Sequence, residues 1–178
     1  MDFTHDTRLS LQALTALVNT RHPDTLMTVA DLDDLCDRWR WSGSRTHDQH
    51  ELQAVRDVRD RLAGFWGADE QTVVDLINAL LDEGHALPQL VRHDGFAWHI
   101  HATTPDAPLV VRMVVEYAMS MMDVVRAGDL DRLTYCAADH CDHVVLDLSR
   151  NRSRKFCDSG CGNRSNVAAY RARRKQAG

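Results

Sequence analysis

The sequence predicts a mostly α-helical protein: a helical N-terminal domain with one β-hairpin, then a small C-terminal four-cysteine zinc finger made of a β-hairpin and a helix. Three observations carry this. Apolar residues recur at helical spacing through most of residues 7–127, and alternate only between 89 and 101. Four of the five cysteines, Cys136, Cys141, Cys157 and Cys161, form a C-x4-C-x15-C-x3-C pattern near the C-terminus. Charge is divided along the chain. Residues 132–178 hold ten Lys/Arg against four Asp, whereas the rest holds eleven against 22 acids.

The first helix is expected over 7–20, from Leu9, Leu11, Leu14, Leu17 and Val18, ending at Asn19-Thr20-Arg21-His22 before Pro23. That polar cluster is suited to capping the helix; Asn19 and Arg21 are also the candidates for a small-ligand site. Thr28 and Asp31 read as a capping box ahead of Leu32, Leu35, Cys36 and Trp39. Cys36 stands far from the other cysteines and reads as a small core residue. Thr46 and Gln49 read as a second capping box, before Leu52, Val55, Val58, Leu62 and Phe65. Arg56, Arg59 and Arg61 alternate with Asp57 and Asp60, the pattern of a solvated face. Asp69 opens a fourth helix, which Gly84 closes.

Residues 89–92 and 96–101 alternate around Asp94-Gly95, a hairpin signal. Phe96 and Trp98, with Ile100 or Val91, are expected on one side, and His93, His99 and His101 as exposed strand histidines. A fifth helix is expected from Leu109 to about Ala127, with Asp106 as N-cap and Pro108 in its first turn. It is apolar around most of its circumference, as suits a central helix or a dimer interface, and its methionines suit core packing. Arg112, Glu116 and Asp123 make it a buried helix and not a membrane span. The start, Met1 to Asp6, has two acids and no secretory pattern, so the protein is expected to be cytoplasmic.

The domains divide near 128–133, giving 1–130 and 131–178. The second has few apolar residues, among them Val144, Val145, Leu146, Leu148 and Phe156. It needs a cross-link or a metal to fold, and two close pairs of thiolates suit a closed Zn²⁺ site. His143–Ser149 is expected as a strand, with Arg154–Cys157 pairing back on it and Asn151 at the turn. From Gly162 the composition becomes helical, and Cys161 would open that helix. His140 and His143 flank Cys141 as spare ligands.

Cys161-Gly162-Asn163-Arg164 follows Asp147-Leu148-Ser149-Arg150-Asn151 and Arg154-Lys155-Phe156-Cys157, and precedes Val167-Ala168-Ala169-Tyr170-Arg171-Ala172-Arg173. In order and spacing this resembles the CGNR zinc finger family, over about residues 130–175. Residues 8–127 bear a weaker resemblance to the ABATE domain that precedes the finger in that family. The resemblance implies a bacterial transcription regulator whose finger binds DNA.

A basic finger on an acidic body points to an anionic partner, and duplex DNA leads. Arg150, Arg152, Arg154 and Lys155 are the expected phosphate contacts of the hairpin tip. Arg164, Asn166 and Arg171 are the candidates for base edges; Asn163, Arg173 and Arg174 complete the interface. An RNA or acidic protein partner is the alternative, although the finger's aromatics are only Tyr135, Phe156 and Tyr170. An iron–sulfur redox sensor is a further one. The helical domain would sense a small-molecule effector or form a homodimer. No phosphate loop or nucleophile elbow is present, and a closed metal site does not suit catalysis, so no enzyme is expected.

Overall fold

The computed structural model describes residues 3–92 and 97–176. Helices α1 (His5–Asn19), α2 (Val29–Arg38), α3 (Gln49–Ala63) and α4 (Glu70–Glu83) precede a short hairpin, β1 (Gln89–Val91) and β2 (His99–His101). Helix α5 (Leu109–Arg126) follows, then a second hairpin, β3 (Leu133–Tyr135) and β4 (Val144–Leu146), and helix α6 (Cys161–Gln176). The fold is mostly helical, as the sequence predicts.

Local chemistry sets most helix starts. Thr28 Oγ1 accepts from Asp31 N at 3.2 Å while the Asp31 carboxylate accepts from Thr28 N at 2.7 Å, a complete capping box. Asp69 accepts from Thr72 N at 2.8 Å and opens α4. Two caps differ from expectation. Asp48, not the Thr46–Gln49 pair, caps α3 by accepting from Glu51 N at 2.8 Å. Glu51 turns back to accept from Thr46 N and His47 N, and it pairs with Arg45 at 2.9 Å. Pro108 occupies the N-cap position of α5, and Asp106 accepts instead from Ser44 Oγ at 3.0 Å. In each case a carboxylate met a partner in a neighbouring loop.

Helix α5 runs through the centre of the body and packs on α1, α3 and α4. Met113, Tyr117 and Met121 are fully buried in one core with Leu14, Leu17, Val55, Leu62 and Cys36. Burial pushes the Cys36 thiol up to about 11, which leaves it a small hydrophobe at neutral pH. The α3 arginines are not a uniformly solvated face. Arg59 is buried, donating to Thr20 O at 3.2 Å, Thr20 Oγ1 at 3.1 Å and Asp24 Oδ1 at 2.9 Å. It clamps the turn after α1, a partnership with residues 35–39 positions away that local charge alternation does not reveal.

The first hairpin pairs Gln89 with His101 and Val91 with His99. Its expected turn at Asp94-Gly95, with His93 and Phe96, lies outside the described residues. The two faces are the reverse of a simple hydrophobic-inward reading. Trp98 is 62% and Ile100 48% exposed, while His99 and His101 turn inward and line a cavity.

The second hairpin also differs from expectation. β4 pairs with β3, in register Leu133↔Leu146 and Tyr135↔Val144, not with residues 154–157. Residues 154–157 are instead tied by Ala137 N donating to Lys155 O at 2.8 Å and Arg154 N donating to Asp147 Oδ2 at 2.8 Å. Leu133, Val144 and Leu146 join the helical core, so the hairpin that carries the cysteines is packed against α1. Asn19 completes the joint. Its Oδ1 accepts from Val144 N at 2.8 Å and its Nδ2 donates to Val144 O at 2.9 Å, the two bonds a neighbouring strand would make. Trp66 Nε1 donates to Val145 O at 3.1 Å, and Tyr135 OH to Trp66 O at 3.0 Å.

Candidate metal centre and nucleic-acid interface

Each cysteine is delivered by a different local element. Cys136 immediately follows β3, Cys141 stands in the loop before β4, Cys157 follows the tied loop, and Cys161 opens α6. Their four Sγ atoms lie within 4.8 Å of one another. Cys157 Sγ is 3.7 Å from Cys141 Sγ and 3.5 Å from Cys161 Sγ, and Cys161 Sγ is 3.6 Å from Cys141 Sγ. Disulfide sulfurs would be about 2 Å apart. Tetrahedral Zn–S bonds of about 2.3 Å place sulfurs about 3.8 Å apart, and the observed spacing fits. All four cysteines are free of disulfides, and they form a metal-binding cluster.

The electrostatics ask for a cation. Burial pushes the Cys141 thiol up to about 12, and burial also raises Cys161. Burial acts upward on Cys157 too, but hydrogen bonds from Ser159 and the adjacent thiols bring it down to about 6. One sulfur therefore ionises readily while Cys141 and Cys161 resist, chiefly because they are desolvated. A divalent ion at the centre removes the conflict.

An outer layer holds the sulfurs in place. Cys157 N donates to Cys136 Sγ at 3.4 Å, and Arg164 Nη2 donates to Cys161 Sγ at 3.0 Å while its Nη1 donates to Ser159 O at 2.8 Å. His143 is not among the metal-site residues. Its Nε2 donates to His22 O at 2.7 Å and its Nδ1 lies 2.7 Å from Ser159 Oγ, which is 3.1 Å from Cys157 Sγ. Nothing in the sequence points to Ser159, because its role depends on the helical body supplying the His22 carbonyl.

The other basic candidates fall into two groups. Arg152 pairs with Asp129 at 2.6 Å and with Asp131, and Arg154 pairs with Asp158. These two, with Arg164, brace the cysteine loops. Arg150, Lys155, Asn163, Asn166, Arg171, Arg173 and Arg174 are exposed. Of α6, Cys161 alone is buried among the side chains described, so the helix is anchored at its first residue and projects its length to solvent. Asn163, Asn166, Tyr170, Arg173 and Arg174 follow helical spacing along one stripe.

Asn19 and Arg21, the candidates for a small ligand, hold Val144 and Asp60, the latter at 2.7 Å. A cavity of about 510 Å³ opens elsewhere, between α1, the loop after α2, the first hairpin and the start of α5. Trp39, Trp41, Arg112, Glu116, His99 and His101 are in its wall. Arg112 is buried, and donates to Ala107 O at 3.0 Å and to the carbonyls of Ser42 and Ser44, closing the loop over the cavity. Gly43, at φ +90°, permits that approach, since a Cβ there would lie 2.6 Å from Arg112 Nη1.

A helical body sharing its core with a four-cysteine finger defines a metal-binding class. The chain belongs to the ABATE family, described as "Putative stress-induced transcription regulator", whose model matches residues 11–128. Residues 132–174 match the CGNR zinc finger. No curated protein matches the chain. No described helix is long and apolar enough to cross a membrane.

Proposed function

We propose that this protein is a transcription regulator that loads Zn²⁺ on Cys136, Cys141, Cys157 and Cys161 and grips duplex DNA with α6. One observation carries the reading: a helix fixed at its first residue by the metal-binding cluster presents Asn163, Asn166, Arg171, Arg173 and Arg174 to solvent. A helix held this way can enter a groove without folding anew, with Arg on phosphates and Asn suited to base edges. Arg150 and Lys155 add phosphate contacts from the cysteine loops, whereas Arg152, Arg154 and Arg164 act by holding those loops. The metal has a structural role, and no catalytic activity is assigned.

The cavity in the body supports an effector reading, its volume falling within the range of small-molecule sites. The exposed Trp98 and Ile100 on the first hairpin offer a surface for a homodimer, which light scattering tests.

Binding of the zinc-loaded protein to labelled duplex DNA across a salt series tests the main reading. A log–log slope of about 0.9 per phosphate contact is expected, and the double variant Arg173→Ala/Arg174→Ala should flatten it by about two contacts. Equal or tighter binding to single-stranded RNA would move the partner to RNA, and no binding at low salt would move it to protein.

A further inference from the structure

The first turns of α6 have an inner and an outer side, and their neighbours fix which is which. Arg164 turns back to the cysteine loop, with Nη2 donating to Cys161 Sγ at 3.0 Å and Nη1 to Ser159 O at 2.8 Å. Gly162 lies against Phe156, whose Cδ2 would stand 3.5 Å from a Cβ at that position. Ser165 is half-buried. Side chains advance about 100° per residue round a helix. Residues 162, 164 and 165 therefore define the inner side, and Asn163, Asn166 and Val167 face out. All three are exposed, Val167 at 47%.

This arrangement sorts the groups that can read a base. In the major groove guanine is taken by Arg or Lys, cytosine by a carboxylate, adenine by Asn or Gln, and the thymine methyl by a small apolar group. Arg164 is the arginine of the first turns, and both its terminal nitrogens are committed to the cysteine loop. Helix α6 contains no Asp or Glu. Arg171, Arg173 and Arg174 begin about 12 Å farther along the axis than Asn163, where a helix leaving the groove meets phosphates. Arg174 already lies over the Tyr170 ring, 6.0 Å from its centroid. Two primary amides and a valine are left at the front. Neither amide has a protein partner among the described residues. They stand three positions apart on one face, about 4.5 Å along the axis, against a base-pair rise of about 3.4 Å.

We propose that α6 reads A·T pairs in the major groove. Asn163 and Asn166 each donate from Nδ2 to adenine N7 and accept at Oδ1 from the adenine N6 amino group, and Val167 packs on a thymine methyl. The basic residues of the last two turns stay on phosphates. This rests on the reading of α6 as the DNA-binding helix and goes beyond it by naming the base that is read.

The test offers the zinc-loaded full-length protein a pool of duplexes with a randomised centre and sequences the bound fraction. Enriched sites are expected to share A·T pairs at adjacent positions. Replacing one such pair by G·C should weaken binding roughly 5- to 150-fold, the range for losing one bidentate contact. Asn163→Ala and Asn166→Ala should each lose the preference at one of the pairs and leave the salt slope unchanged, since neither residue is charged. Placing 7-deazaadenine at those positions removes the N7 acceptor and keeps the pairing and the minor groove. It should weaken binding about two- to tenfold, and this readout uses the unaltered protein, so it does not depend on a variant folding. Enrichment of G·C pairs, no enrichment, a preference that survives both variants, or full affinity for the 7-deazaadenine duplex would overturn the proposal while the DNA-binding reading stands. No binding to any duplex at low salt would overturn both.

Discussion

The helical body and the cysteine loops reach order by different means. In the body, Leu11, Leu14, Leu17, Val55, Leu62 and Tyr117 are almost wholly buried, and that apolar area offsets the entropy of fixing the helices. Among the described residues, the cysteine cluster buries only Val145 alongside Cys136, Cys157 and Cys161, with Ala138, Cys141 and Phe156 at its edge. So little apolar surface cannot order three loops, and metal–sulfur bonds must do so. The β3–β4 hairpin stands on the body's side of this divide, because Leu133, Val144 and Leu146 lie in the helical core. Dependence on metal therefore does not follow chain order.

Removing the metal gives the sharpest separation. Chelation, or Cys157→Ser, should abolish order in the cysteine loops and α6 and remove DNA binding, structural zinc sites contributing about 10–16 kcal/mol. Hydrogen exchange should then rise over residues 136–142 and 150–176 while Val144–Leu146 and the α5 amides stay protected. Loss of protection at Val144–Leu146 along with the loops would show that the hairpin, too, depends on the metal.

The joint can be broken from the body's side. Asn19→Ala removes both partners of Val144, whose residue is buried, and leaves one N–H and one carbonyl unpaired. A loss of about 2–6 kcal/mol is expected from chemical denaturation, at about 1–3 kcal/mol for each of the two unpaired groups. A change under about 0.5 kcal/mol would mean that water replaces the side chain and that the hairpin is held by its apolar face alone.

What the sequence revealed follows from the range of the interactions. Thr28 with Asp31, and Asp69 with Thr72, are satisfied within one turn, so their helix starts were legible. The four cysteines were legible because thiolate chemistry restricts what such spacing can do. Arg59 looked solvated because its partners, Thr20 and Asp24, lie in another turn of the chain. The partner of β4 is hidden in the sequence because Leu133–Tyr135 is three residues long and carries no alternation of its own to read. The inward face of the first hairpin is hidden in the sequence for a related reason. Alternation separates two faces but does not say which is covered, and here Glu116 of α5 stands opposite the histidines.

Acid should loosen the cysteine loops slightly through Asp147. Its buried carboxylate accepts from Ser149 N and Arg154 N, both at 2.8 Å, and so shapes the loop between β4 and Cys157. Burial pushes its pKa up, but the Ser149 hydroxyl, these two N–H groups and the Arg132 charge outweigh burial and hold it below the usual carboxylate value. A folded pKa lower than the unfolded value of about 3.9 means that the stabilisation is complete above pH 3.9 and lost as pH falls through the folded value. Asp147→Asn cannot accept with both side-chain atoms and should cost about 1–2 kcal/mol at neutral pH. The gap between the two proteins should narrow only below about pH 4. A gap that stays constant into strong acid would mean that the loop depends on the shape of residue 147 and not on its charge, and that electrostatics distinguish the two regions only at the metal.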